Sequence, residues 1–142
     1  MIKQLSVFLE NEPGRLVKVT RILEDAGIDI RALTVAETAD FGILRLIVND
    51  PGKAHRILKE NSVAVALDSV LGVEVEDKPG GLRAIAEILA EGEVNIEYVY
   101  AFVTRSHEKA FVVLRVDDRE RAVKVLGSSS IRLVGQDEVS NI

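Results

Sequence analysis

Leu5–Val35, LSVFLENEPGRLVKVTRILEDAGIDIRALTV, aligns without a gap on the stretch from Leu71 to Tyr100, LGVEVEDKPGGLRAIAEILAEGEVNIEYVY, at a shift of 66 positions. The matched pairs include Pro13 with Pro79, Gly14 with Gly80, Leu16 with Leu82, Leu23 with Leu89 and Ile30 with Ile96. A self-match at a fixed period settles the architecture before any single element is assigned. Further on, FGILRLIVNDPGKAHRIL from Phe41 matches KAFVVLRVDDRERAVKVL from Lys109 at a shift of 68, so the second copy carries two extra residues in the intervening turn. The chain reads as two copies of one unit joined with almost no linker, divided as 1–68 and 69–142.

Each copy repeats one order of elements. Alternating apolar residues in IKQLSVFL and VLGVEVE predict a strand, which the following Pro-Gly ends. Leu16, Val19, Ile22, Leu23 and Ala26, and in the second copy Leu82, Ile85, Ile88 and Leu89, recur at three- and four-residue spacing and give a helix one apolar stripe. Gly27 and Gly92 are the expected helix stops. IDIRALTVAET with GILRLIVN, and VNIEYVYAFVT with AFVVLRV, read as hairpins. Second helices are expected from about Pro51 to Glu60 and from about Asp118 to Gly127, with closing strands near Val63 to Leu67 and Ile131 to Val134. Strand, helix, strand, strand, helix, strand, twice over, is an α+β chain of two ferredoxin-like βαββαβ units with helices on one face.

That topology leaves the second strand at a sheet edge. In the second copy this strand is apolar on both parities: Ile96, Tyr98, Tyr100 and Phe102 on one, Val99, Ala101 and Val103 on the other. Such an edge invites pairing. The expectation is that the two copies lie side by side, pair their second strands and form one eight-stranded antiparallel sheet, whose helix-free face carries Val99, Ala101 and Val103 and gains from cover by a second copy.

Composition narrows the function. With 142 residues and 47% apolar content the chain can bury a core. It has no cysteine, which excludes a disulfide framework, a thiolate zinc site and a cysteine nucleophile. Aromatic residues make up 4%, Trp is absent, and 23 acidic against 18 basic residues give a net charge of -5, a poor match to nucleic acid. The start MIKQLSVFLENEPG lacks the apolar core of a signal peptide, and no later apolar run approaches membrane-spanning length, so a soluble cytoplasmic protein without membrane contact is expected.

The unit resembles the ACT domain, the small ligand-binding regulatory module of amino-acid metabolism. The resemblance rests on Asn11-Glu12-Pro13-Gly14-Arg15-Leu16 and Asp77-Lys78-Pro79-Gly80-Gly81-Leu82, each followed by a helix, then by Gly27-Ile28-Asp29-Ile30 or Glu93-Val94-Asn95-Ile96. The interval from Gly14 to Asp29 and from Gly80 to Asn95 is 15 in both copies. The resemblance covers essentially the whole chain, and in narrower form it is to stand-alone tandem ACT proteins. It implies a non-catalytic regulatory protein holding an amino acid at the interface between the repeats. The side chain two residues before the Pro on one domain and the Asp/Asn opening the second strand of the neighbouring domain would share the ligand. Carried onto this chain, the resemblance pairs Asn11 with Asn95 and Asp77 with Asp29, with Asn11/Asn95 the better match to a zwitterion.

Elementary chemistry suits that role. A Gly-containing turn opening a helix leaves backbone N–H groups without partners, and the helix dipole favours an anion there. Pro13 and Pro79 fix the turn, while Gly14, Gly80 and Gly81 allow close approach to the backbone. A tight strand-to-helix connection with no ligand is the plainer alternative. Arg15 has two open readings, a reach toward a ligand carboxylate or a solvated side chain, and Tyr98 and Tyr100 either line a pocket or pack in the core.

Other chemistry finds little support. His55 and His107 are the only histidines and lack partners for a metal. No Gly-x-Ser-x-Gly, Walker-type loop or dinucleotide fingerprint occurs, so no cofactor is implied. Arg15 with Asn11 is the single pair that could serve an acylphosphatase-like reaction. A competing function is an oligomerisation or protein-interaction module with no metabolite. Either reading is compatible with a homodimer and with a regulated protein partner.

Overall fold

The computed structural model describes residues 1–37, 40–103 and 109–142. His107 lies outside the described residues. Two contact units divide the chain: Lys3–Ser69 with Asp137–Ile142, called the first unit here, and Val70–Gln136 with Met1–Ile2, the second.

The first unit contains β1 (Ile2–Glu10), α1 (Arg15–Asp25), β2 (Ile30–Glu37), β3 (Phe41–Val48), α2 (Pro51–Glu60) and the opening of β4 (Val65–Glu76). Its strand order is β2-β3-β1-β4. Both β1 and β2 run antiparallel to β3, with Leu5 opposite Leu46 and Val35 opposite Leu44. Leu5 and Val7 of β1, Leu44, Leu46 and Val48 of β3, Val19 and Leu23 of α1, and Ala54 and Leu58 of α2 form one buried core. Residues at alternate strand positions thus meet residues at three- and four-residue helix spacing, and both helices cover the same sheet face. Asp50 caps α2 by accepting the Lys53 N–H at 3.1 Å, ahead of Pro51 in the first turn.

In the second unit the remainder of β4 is followed by α3 (Gly81–Glu91), β5 (Ile96–Ala101), β6 (Lys109–Val116), α4 (Arg119–Ser128) and β7 (Leu133–Val134). The order is β7-β4-β6-β5. Leu71, Val73, Ile85, Leu89, Leu114, Ala122 and Leu126 form the equivalent core. Asp118 caps α4 through the Arg121 N–H, as Asp50 does for α2. Both units therefore have the expected βαββαβ order and the ferredoxin-like fold.

The expectations about the sheet need correction. The described residues make seven strands, because the closing strand of the first repeat and the opening strand of the second are one twelve-residue strand, β4. Their second strands do not pair with each other: β2 has β3 as its neighbour and β5 has β6.

The faces of β5 are also reversed. Ile96 lies opposite Val116 on the core side, but a register shift between Ile96 and Tyr98 breaks the alternation. Val99 opposite Leu114 and Ala101 opposite Val112 then fall on the helix side, while Tyr98 and Tyr100 turn to the other face. Tyr100 and Phe102 are buried and Tyr98 is half-buried, stacked on Tyr100 with ring centroids 6.3 Å apart. An equivalent shift lies between Ile30 and Ala32 in β2.

Both first helices stop where expected, α1 just before Gly27 and α3 at Glu91 with Gly92 as its C-cap, but the left-handed residue that follows is Gly27 at φ 70 in the first unit and Glu93 at φ 59 in the second. Gly92 has another reason to be glycine: a Cβ there would come 2.8 Å from the Val125 side chain.

The C-terminal residues form α5 (Gln136–Ser140), whose Val139 is fully buried. Among the described residues no helix is long and apolar enough to cross a membrane.

Candidate functional site

The two strand-to-helix loops share one backbone form. Gly14 precedes α1 at φ 87, ψ -4, and Gly80 precedes α3 at φ 88, ψ -8. Neither helix has a side chain capping its start. In the first loop the Arg15 N–H donates to the Glu12 carbonyl at 3.4 Å and the Lys18 N–H to the Gly14 carbonyl at 3.0 Å. Helix geometry offers no acceptor to the N–H groups of Leu16 and Val17 between them, nor to those of Leu82 and Arg83 in α3. A Cβ on Gly14 or Gly80 would meet nothing within 4 Å, so both turns face open space. Pro13 and Pro79 are exposed beside them, as are Leu16 and Leu82.

Gly81 differs from this pattern. A Cβ there would overlap the carbonyl oxygen of Glu76 and lie 3.1 Å from its carbon. The position is buried, and its N–H donates to the Lys78 carbonyl at 3.0 Å, shorter than the matching bond from Arg15. Gly81 is thus required by the chain's own close approach, where the sequence pointed to an approaching ligand.

In the first unit, Asn11, Glu12, Arg15 and Leu16 gather in a shallow hollow of about 380 Å³ with Glu37 and Phe41. Glu37 and Phe41 escape a reading of the loop alone, because the ends of β2 and β3 bring them there. Arg15 is half-buried and pairs with Glu10 and, at 3.6 Å, with Glu12. That arrangement answers neither open reading: the guanidinium holds the loop's own carboxylates. It also removes the Arg15–Asn11 combination that an acylphosphatase-like reaction would use.

Asp29 and Asn95 occupy equivalent, exposed positions just before β2 and β5. The Asp29 N–H donates to Asn49 Oδ1 at 2.9 Å and its carbonyl accepts the Asn49 N–H at 3.1 Å. Asn95 makes the same two bonds with Asp117, at 2.9 and 3.1 Å. Arg31 lies 3.5 Å from the Asp29 carboxylate. Ile30 and Ile96 are half-buried at the strand starts.

Because β1 and β2 both run antiparallel to β3, they run parallel to each other, and β2 ends at the loop where Glu37 faces Gly42. Eight residues of β2 therefore separate Asp29 from the loop, roughly 25 Å at strand rise. Asn11 and Asp29 do not meet within the first unit, and the same topology keeps Asp77 from Asn95 in the second.

A family model described as an ACT domain pair matches residues 1–142. The chain belongs to the ACT domain pair family. This ACT domain pair is 40% identical to protein BT0572 from Bacteroides thetaiotaomicron, whose crystal structure matches with a TM-score of 0.92 over 99% of this chain and 96% of that one. The regulatory subunit of aspartate kinase from Thermus thermophilus, in ligand-free form, is 16% identical and shares the fold, with a TM-score of 0.64 over 89% of this chain and 90% of that one. Acetolactate synthase small subunit from Buchnera aphidicola subsp. Baizongia pistaciae is 34% identical over 82 residues, 57% of this chain. The ACT domain pair spans about half the length of that curated relative, 52%.

At the second loop, Glu76 sits among cations. Lys78 Nζ is 2.6 Å from its carboxylate and Lys109 Nζ 3.8 Å. The Lys78 hydrogen bond, then the charges of Lys78 and Lys109, hold the Glu76 carboxyl below the usual carboxylate range, and the same bond raises Lys78.

Proposed function

We propose that this ACT domain pair is a non-catalytic regulatory protein that binds a small amino acid at its strand-to-helix loops. The observation that carries this is the matched pair of uncapped helix starts, each behind an exposed glycine at positive φ with open space beside it. The α-carboxylate would lie on the N–H groups of Leu16 and Val17, or of Leu82 and Arg83, and the ammonium beside nearby carboxylates such as Glu12 and Glu37. Asn11, Glu12, Pro13, Gly14, Arg15 and Leu16, and Asp77, Pro79, Gly80, Gly81 and Leu82, would form the two loop sides. Asp29 with Ile30 and Asn95 with Ile96 would close them. Since loop and strand start lie at opposite ends of one unit, a ligand touching both needs a facing unit. A second copy can supply it, because among the described residues β2 and β5 each end their unit's sheet with one flank unpaired. The name of one relative, acetolactate synthase small subunit, supports a role beside a partner protein, to which the regulatory output would pass.

The test is a thermal-shift screen against the twenty amino acids at millimolar concentration. A ligand confined to the folded state raises the melting temperature by mass action, by about 2.7 kcal/mol of stability at a hundredfold excess over Kd. One or a few amino acids should raise it, and Asn11→Ala should weaken the response. A flat screen refutes the reading and leaves an assembly module.

A further inference from the structure

We propose that the exposed pair of Phe8 and Phe41 on the first unit is a docking surface for a partner protein that presents aliphatic side chains among lysines or arginines. This surface extends the regulatory reading to the place where a partner is met, and its use does not require that the loops take an amino acid. Phe8 is 48% exposed and Phe41 40%, with ring centroids 6.3 Å apart. Val7 opposite Leu44 packs into the core, so Phe8 opposite Ile43, one step along, lies on the face away from α1 and α2, and Phe41 follows Ile43 on that face. Ala36, exposed and also opposite Ile43, widens the patch. The other two of the four phenylalanines, Phe102 and Phe111, meet edge to face at 6.0 Å with Phe102 buried, so the two left at the surface are neighbours.

The second unit shows that the fold does not require rings there. By the repeat alignment Phe8 corresponds to Glu74 and Phe41 to Lys109. Strand registers agree: Phe41 faces Glu10 as Lys109 faces Glu76, and Phe8 faces Ile43 as Glu74 faces Phe111. The Phe8 N–H donates to the Ala64 carbonyl at 3.0 Å, and the Glu74 N–H to the Arg132 carbonyl at 3.0 Å. In the second unit this place is polar, with Arg132 bonded to Glu74 at 2.7 Å and Lys109 Nζ 3.8 Å from the Glu76 carboxylate. One backbone thus carries ion pairs in one unit and exposed rings in the other. Aromatic rings that folding does not demand, held together at the surface, mark a contact with another molecule.

Charge then selects the partner. Carboxylates rim the rings: Glu10 opposite Phe41, Asp40 just before it, Glu37 opposite Gly42, and Glu12 in the hollow that Glu10 and Glu37 also line. Against these four stand Arg15, which Glu10 and Glu12 share, and Lys18. Glu37 and Asp40 are exposed and form no ion pair among the described residues. Arg45, next along this face of β3, is half-buried and engaged within the chain. The rim therefore carries an excess of two negative charges, which a basic segment complements. A symmetric contact with a second copy would set these carboxylates against their own equivalents, and nucleic acid or an anionic membrane would meet the same repulsion. Glu10, Glu12, Glu37 and Phe41 also line the first loop's hollow, so the partner docks beside that loop and not apart from it.

The experiment titrates the full chain, with no amino acid present, with a short amidated peptide of leucine and lysine and follows backbone amide shifts by nuclear magnetic resonance. Saturable shifts are expected at Phe8, Phe41 and Ile43 in the range up to about 1 mM, without matching shifts at Glu74, Lys109 and Phe111. Phe8→Glu with Phe41→Lys installs the residue types of the second unit and should weaken binding about tenfold. A peptide of leucine and glutamate should bind the parent protein about tenfold more weakly than the lysine peptide, a readout that needs no variant. Sedimentation should give the parent and the paired variant the same oligomeric state. Shifts that fail to saturate, equal shifts in both units, equal affinity for the two peptides, or unchanged affinity in the paired variant would overturn the proposal. So would a paired variant of lower oligomeric state, because a second copy would then occupy the surface. A flat amino-acid screen beside a saturable peptide response refutes the loop reading alone, so the two failures are told apart.

Discussion

Replacing Gly81 with alanine tests the account of the loops directly, because two glycines in matching loops are held for different reasons. At Gly81 the added Cβ overlaps the Glu76 carbonyl oxygen, so the start of α3 must retreat from β4 by about an ångström before carbon and oxygen reach ordinary contact. That movement loosens the Gly81 N–H bond to Lys78 and pulls at Ile85 and Leu89, both essentially inaccessible to solvent. Overpacking costs about 2 kcal/mol and a weakened backbone bond about 1 kcal/mol, giving a loss of about 3 kcal/mol. For a chain of this size, that lowers the melting temperature by about 10 °C. At Gly14 the added methyl meets open space, and only the left-handed backbone penalises it. About 1 kcal/mol, or about 3 °C, is expected for Gly14→Ala. Thermal unfolding followed by circular dichroism measures both. Equal losses for the two variants, or a Gly81→Ala protein melting within about 3 °C of the parent, would refute the close-approach argument.

The remaining predictions draw on other parts of the molecule. Gly27→Ala should cost about 1 kcal/mol in urea unfolding, while Glu93→Gly should leave stability unchanged or raise it by about 0.5 kcal/mol, because Glu93 holds the same left-handed conformation without glycine's freedom. A loss on Glu93→Gly as large as that on Gly27→Ala would contradict this. Since the Glu76 carboxyl titrates lower in the folded chain, its contribution to stability is complete above its ordinary value of 4.5 and is lost as the pH falls through the folded value. Carbon-13 titration should therefore show the Glu76 midpoint moving up in Lys78→Ala, with Lys109 retaining part of the effect; an unmoved midpoint would show that Lys78 is not the main cause. The Lys78 contribution has the opposite sense, complete below 10.5 and lost as the pH rises through the raised folded value.

The duplication made the fold legible. Once Leu5–Val35 had been matched to the stretch beginning at Leu71, each copy supported the other's element assignments, and both helix pairs and both hairpins occur where the periodicity places them. Loop geometry was partly legible too, because Pro-Gly before an apolar stripe predicts a turn opening a helix, and Gly14 and Gly80 take the same positive φ. What failed were inferences that crossed from one strand to the next. Parity counting along β5 assumed strict alternation, and a register shift at one residue reverses every side chain after it. Nothing in the run IEYVYA marks that shift; it appears only against β6.

Local periodicity thus determined what could be decided by a residue and its near neighbours: two ferredoxin-like units, their helices, and two loops that end in uncapped helix starts. Those features follow from apolar spacing and from the conformational preferences of proline and glycine, which act within a few residues. Tertiary structure decided the rest. The close approach at Gly81, the pairing of Arg15 with Glu10 and Glu12, the distance between Asn11 and Asp29 along β2, and the continuity of β4 each depend on residues brought together by packing or strand direction. Two loops nearly alike in sequence consequently have different surroundings, one holding an internal arginine and the other bordering an open cleft of about 490 Å³. The sequence shows glycine at position 81, but only the position of the Glu76 carbonyl explains why no larger residue fits.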